Sequence, residues 1–145
     1  MPTIHRVAVV PYQQEEMYAL VDDVKSYSEF VPWCVKSEEL LRLPDEVQGR
    51  LTFASAGIEK SFSTLNRLQP CKMIELRLID GPFKQLEGFW QFEQILEDGS
   101  SRVIFDLEFE FSNRMLALLF GSVFEQMAST LVTSFTKRAA AVYDH

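Results

Sequence analysis

The passage from strand to helix near the C-terminus constrains the fold more than any other feature. From Arg102 to Phe111 the residues alternate without a break. Val103, Phe105, Leu107, Phe109 and Phe111 share one parity, and Asp106, Glu108 and Glu110 share the other. Successive strand side chains point to opposite faces. The segment therefore predicts a strand with one dry and one wet face, as in an antiparallel sheet. Asn113 is a good N-cap and opens an apolar stripe that includes Leu116, Phe120, Phe124, Met127, Leu131, Phe135 and Val142. A helix from Asn113 to Tyr143 would be about 45 Å long, and it needs a large apolar surface to cover it.

The preceding residues supply that surface. Ile4 to Val10 reads as a first strand, ended by Pro11. Gln13-Gln14-Glu15-Glu16 opens a helix with acids at the positive end of its dipole, and Met17, Leu20, Val21 and Val24 follow at helical spacing. Ser26-Tyr27-Ser28-Glu29 has capping-box spacing for a second, short helix, which Pro32 stops. Further strands are bounded by turn residues: Val35 to Leu43, Val47 to Ala56, Glu59 to Leu68, Lys72 to Ile79 and Leu86 to Leu96, the last ending at Asp98-Gly99. One face takes Val47, Leu51 and Phe53, then Ile74, Leu76 and Leu78, then Leu86, Gly88, Trp90, Phe92 and Leu96. Gly49 and Gly88 are expected bend points. Gly121, inside the final helix, is expected to mark a kink or a close approach. The architecture predicted is α+β, one domain over residues 1–145. It has a curved antiparallel sheet of about seven strands around a long C-terminal helix, with two short helices after the first strand.

Such a sheet need not fill the space over its helix, and pockets form at junctions of this kind. The inner faces mix large aromatics with glycine. The helix is apolar nearly all round from Arg114 to Gly121, so it calls for more cover than one sheet face provides. An apolar cavity is the expectation from the architecture, although each residue taken alone reads as ordinary core.

Charge and chemistry narrow the function. The chain of 145 residues carries a net charge of −7, the wrong sign for affinity based on phosphate contacts, so no direct DNA binding is expected. Arg42, Arg50, Lys60, Arg67, Lys72 and Arg77 recur along the middle strands and form either a local basic patch or a normally mixed surface. Cys34 and Cys71 stand apart without a CxxC and read as reduced thiols. The first residues lack the signal-peptide pattern, and no apolar run reaches the ~20 residues of a membrane span. A cytoplasmic protein, at most peripheral to the inner membrane, is expected. His5 and His145 make no metal motif, Asp22-Asp23 reads as a solvated turn, and Glu108 and Glu110 alternate outward. No catalytic set, metal or cofactor is expected, which argues against an enzyme.

Val21-Asp22-Asp23-Val24-Lys25-Ser26-Tyr27-Ser28-Glu29-Phe30-Val31-Pro32-Trp33-Cys34 resembles the coenzyme Q-binding START-like family, in the branch of the bacterial ribosome association toxins. The stretches Gly81 to Phe92 and Phe105 to Asn113 agree with it. The resemblance implies a helix-grip fold (START-like, Bet v 1-like) within the polyketide cyclase superfamily. It implies an apolar tunnel for ubiquinone or a similar polyisoprenoid lipid, held by a non-catalytic lipid chaperone that supports respiration and makes transient membrane contact. The alternative it implies is a toxin-like inhibitor that binds the large ribosomal subunit and blocks subunit association. A third reading is a cyclase- or dehydratase-like enzyme. On the tunnel reading Phe30 and Trp33 form one end, or else simply shape the corner between helix and strand. Phe53, Trp90, Phe92, Phe105 and Phe109 line the sheet side, and Met115, Leu119, Phe120, Val123, Phe124 and Met127 form the helix wall.

Overall fold

In the computed structural model, which describes residues 2–55, 57–95 and 99–144, the alternating segment is strand β7 (Ser101–Phe111). Its odd-numbered side chains are all buried. Around it one antiparallel sheet runs in the order β1-β7-β6-β5-β4-β3-β2. The other strands are β1 (Thr3–Val10), β2 (Cys34–Leu43), β3 (Glu46–Ser55), β4 (Ile58–Gln69), β5 (Met73–Asp80) and β6 (Phe83–Gln94). Ala56, Leu96, Asp98 and His145, used above to place strand ends and the second histidine, lie outside the described residues.

The two edge strands are joined by helix α1 (Gln14–Asp22) and a short 3-10 helix (Val24–Glu29) that cross from one edge of the sheet to the other. The backbone N–H of Gln13 donates to the Glu16 carboxylate at 2.9 Å, half of a capping box. The second short helix starts earlier than the Ser26 spacing predicts. Asp23 precedes it, and Ser26 Oγ, already inside it, donates to the Asp23 carboxylate at 2.7 Å. Asp22 is not merely solvated: it accepts from Arg42 at 3.1 Å and ties α1 to edge strand β2.

Register shifts in β2, at Ser63/Thr64 and at Phe83/Gln85 bend the sheet over its helices, as inserted residues do. Gly88, expected as a bend point, lies in regular register with both neighbouring strands and marks a close approach instead: a Cβ built there would lie 2.1 Å from the Asp106 carbonyl oxygen. Gly121 does not, since a Cβ there would meet only the Phe111 ring at 3.9 Å.

The C-terminal helix forms as two segments, α2 (Arg114–Ser129) and α3 (Leu131–Tyr143), bent by 46°. Asn113 caps α2 as predicted, its side chain accepting from Leu116 N at 2.9 Å. The bend falls at Thr130, whose Oγ1 donates to the carbonyls of Gln126 (2.9 Å) and Met127 (3.1 Å). Hydroxyl bonding back onto the preceding turn loosens the helical ladder and bends it, so α3 follows the curve of the sheet.

Candidate binding site

Between the inner sheet face and the bend of α2 and α3 lies an apolar cavity of about 70 Å³. Four of the residues assigned to it from the sequence line it: Trp90, Phe105, Phe124 and Met127. Trp90 and Phe105 stack with centroids 4.2 Å apart and form one wall. Phe53, Phe109 and Phe120 are buried but belong to a solid aromatic cluster instead. Phe53 contacts Phe120 at 5.8 Å and Phe124 at 5.5 Å, and Phe109 contacts Phe124 at 4.8 Å. Phe92 packs against Tyr18 at 5.7 Å, beneath α1. Val123 is half-buried at the margin of this core.

The remaining expected residues do not line this cavity. Phe30 packs instead on the core side of α3 against Phe135 at 5.2 Å and lies under the Arg138 guanidinium at 5.0 Å. Trp33 is 40% exposed and holds a left-handed φ of 65° at the entry to β2, an uncommon conformation for a bulky residue. Met115 and Leu119 point outward, 69% and 50% exposed, and Leu118 beside them is 79% exposed. The sheet reaches only one side of α2, so these residues at i, i+3 and i+4 form an uncovered apolar turn.

Sequence reasoning missed the polar part of the cavity. On β4 the inward parity carries Phe62, Thr64 and Asn66, all lining residues. Asn66 is 6% exposed and sits between Val47 of β3 and Leu76 of β5. Thr64 Oγ1 donates to Asn66 Oδ1 at 2.7 Å. The signal was present as two polar side chains on a dry strand face. Tyr27 also lines the cavity, but its hydroxyl donates to the Val21 carbonyl, and burial drives its pKa well above the usual phenol range. Burial likewise pushes the Cys34 thiol up to about 11, which leaves it a poor nucleophile at neutral pH.

On the outer surface three of the basic residues are engaged with acids. Arg42 pairs with Asp22 and with Glu39, Arg50 approaches Glu38 at 3.9 Å, and Arg77 reaches Glu75 at 3.3 Å. Lys60 lies 6.0 Å from the centre of the Phe120 ring. At these four positions the surface is mixed in character. No single described helix is long and apolar enough to cross a membrane. Only the bent pair α2 and α3 passes that test together, and it is packed on the sheet.

A curved sheet closed on a C-terminal helix around an apolar cavity defines the helix-grip, START-like class of domain. The chain belongs to the polyketide cyclase/dehydrase and lipid transport family, whose model matches residues 10–136. It is 44% identical over 143 residues to the persistence and stress-resistance toxin PasT of Escherichia coli O6:H1. It is 43% identical to the ribosome association toxin RatA of Escherichia coli K12. Both matches span 99% of this chain and 90% of the relative. A coenzyme Q-binding protein COQ10 homolog B of Xenopus laevis is 26% identical over 93% of this chain and 57% of its own length. Among solved structures, a START superfamily protein of Mycobacterium smegmatis superposes with a TM-score of 0.71 at 21% identity, over 97% of this chain and 98% of its own. The Zhui aromatase/cyclase of Streptomyces sp. R1128 does so with 0.81 at 17% identity, over 99% and 96%. These two likenesses concern the fold.

Proposed function

We propose that the protein is a cytoplasmic ribosome-associating inhibitor that binds the large ribosomal subunit and hinders its joining to the small one. The observation that carries this reading is the 43% and 44% identity, along nearly the whole chain, to proteins named for ribosome association and for persistence. The charge distribution bears on how contact would be made. With a net charge of −7 and Arg42, Arg50 and Arg77 paired with acids, the middle strands offer little of the concentrated basic surface that phosphate binding exploits. The uncovered turn of Met115, Leu118 and Leu119 offers an apolar contact suited to a ribosomal protein instead of bare RNA. Co-sedimentation with purified large subunits tests the reading. Protein should pellet with the large subunit, and its absence from that fraction at excess subunit would refute the proposal.

The cavity favours a second reading that can coexist with the first: a non-catalytic carrier for a hydrophobic ligand, with ubiquinone or another isoprenoid as the candidate. Its lining holds no carboxylate, imidazole or amine, which supports binding without acid–base chemistry. At about 70 Å³ the cavity is far below the ~300–1,000 Å³ of ordinary ligand sites. Uptake therefore requires α2 to move off the sheet, and the bend at Thr130 is the natural hinge. A buried tail gains about 25 cal/mol per Å² of apolar surface, which can drive that opening during transient contact with a membrane. Mass spectrometry of lipid extracted from the purified protein, together with ubiquinone titration, tests it. No bound isoprenoid and no saturable binding would refute this reading.

A further inference from the structure

The cavity wall is mostly apolar. The Tyr27 hydroxyl is spent on the Val21 carbonyl, Trp90 brings an indole N–H, and the Thr64–Asn66 pair is the polar spot whose hydrogen bonding has a direction. Thr64 donates its hydroxyl proton to Asn66 Oδ1 at 2.7 Å. Among the described residues this is the hydrogen bond made by the Asn66 side chain, so its two amide protons lack a protein acceptor. A carboxamide can donate twice as well as accept. With its oxygen engaged by Thr64, what Asn66 offers to the cavity is a donor. Its neighbours across the sheet, Val47 and Leu76, offer no acceptor side chain. Asn66 is one of the few buried polar residues among those described, and an amide that faces an apolar cavity gives up hydrogen bonds to water. Leucine, of similar size, would suit the inner face better if filling the core were the only requirement.

We propose that Asn66, oriented by Thr64, is the polar anchor of the cavity, and that the ligand is a neutral, mostly apolar molecule with a carbonyl-type acceptor oxygen, which enters with that oxygen foremost. A carboxylate is disfavoured, because the lining supplies no cation to pair with a buried negative charge. A pure hydrocarbon fits the walls but leaves the donor unmet. The inference rests on the ligand-binding reading of the cavity and adds to it a ligand chemistry and an orientation.

The test uses two small probes of nearly equal shape, acetophenone and α-methylstyrene, which differ only in C=O against C=CH₂. Both are titrated into the ¹⁵N-labelled full chain by NMR. Acetophenone is expected to bind about fivefold more tightly, the range set by one hydrogen bond, and to move the Asn66 side-chain amide pair downfield. In N66L the preference should fall to about one while α-methylstyrene binding persists, and the melting temperature should hold or rise. T64V frees the Asn66 oxygen and should halve the preference or more, which gives a second readout should N66L fold poorly. Equal affinity for the two probes in the wild type, or a preference that survives in N66L, overturns the anchor but leaves the cavity reading standing. Binding of neither probe overturns both.

Discussion

Replacing Phe124 by alanine probes the junction between the solid core and the cavity. The ring is buried and stands 4.7 Å from Phe83, 4.8 Å from Phe109, 5.5 Å from Phe53 and 5.7 Å from Phe62, while its other side lines the cavity. Deleting it opens about 100 Å³, which at ~24 cal/mol per Å³ costs about 2.4 kcal/mol if the walls do not collapse. Loss of the buried apolar side chain adds about 2 kcal/mol, so the total is about 4 kcal/mol. The new void joins the existing one, and an enlarged apolar cavity is a site for a small aromatic molecule. Urea unfolding should show the loss. Repeating it with benzene at about ten times its Kd should return about 1.4 kcal/mol to F124A by mass action, and distinctly less to the wild type. A loss below about 1 kcal/mol, or equal benzene stabilisation of both proteins, would refute the placement of Phe124 as the wall between core and cavity.

Two glycines should respond in opposite senses to alanine. G88A must push the Asp106 backbone aside and should lose about 1–3 kcal/mol, whereas G121A has room and should gain about 1 kcal/mol from helix propensity; thermal melts would decide, and like signs would contradict the geometry. N113A removes the acceptor for Leu116 N and should cost about 1 kcal/mol, measured by urea unfolding. Because the folded Cys34 thiol titrates near 11 against an ordinary value of 9.0, the unfolded chain loses that proton first. The associated stability is present below pH ~9 and is lost as pH rises towards ~11. C34A should flatten the decline, and the wild type should be alkylated at Cys71 before Cys34 at neutral pH.

The strands were legible because most of them bury one face and wet the other, so parity alone oriented Val103 to Phe111, Ile74 to Leu78 and Leu86 to Phe92. The bend at Thr130 was hidden, since the apolar stripe runs through it and threonine is not a helix breaker of the glycine or proline kind. The candidate site was harder to read. Phe53, Phe109 and Phe120 carry the same sequence signal as Phe105 and Phe124, because solid core and cavity wall are built from the same residue types. Met115 and Leu119 were assigned inward because an apolar turn normally seeks cover; here the sheet ends short of it. Asn66 and Thr64 were within reach, had the polar exceptions on a dry face been weighed alongside the aromatics.

The central proposal is that this chain keeps ribosomal subunits apart through the uncovered turn of α2. Purified large and small subunits, mixed under associating conditions with increasing protein and resolved on a sucrose gradient, test it directly. The account predicts that the wild type depletes the joined particle in favour of free subunits. It also predicts that M115E/L118E, altered only at exposed positions, leaves the joined particle intact. An unchanged joined peak at excess wild-type protein would contradict the ribosomal role, and equal activity of the double variant would contradict the surface assigned to it.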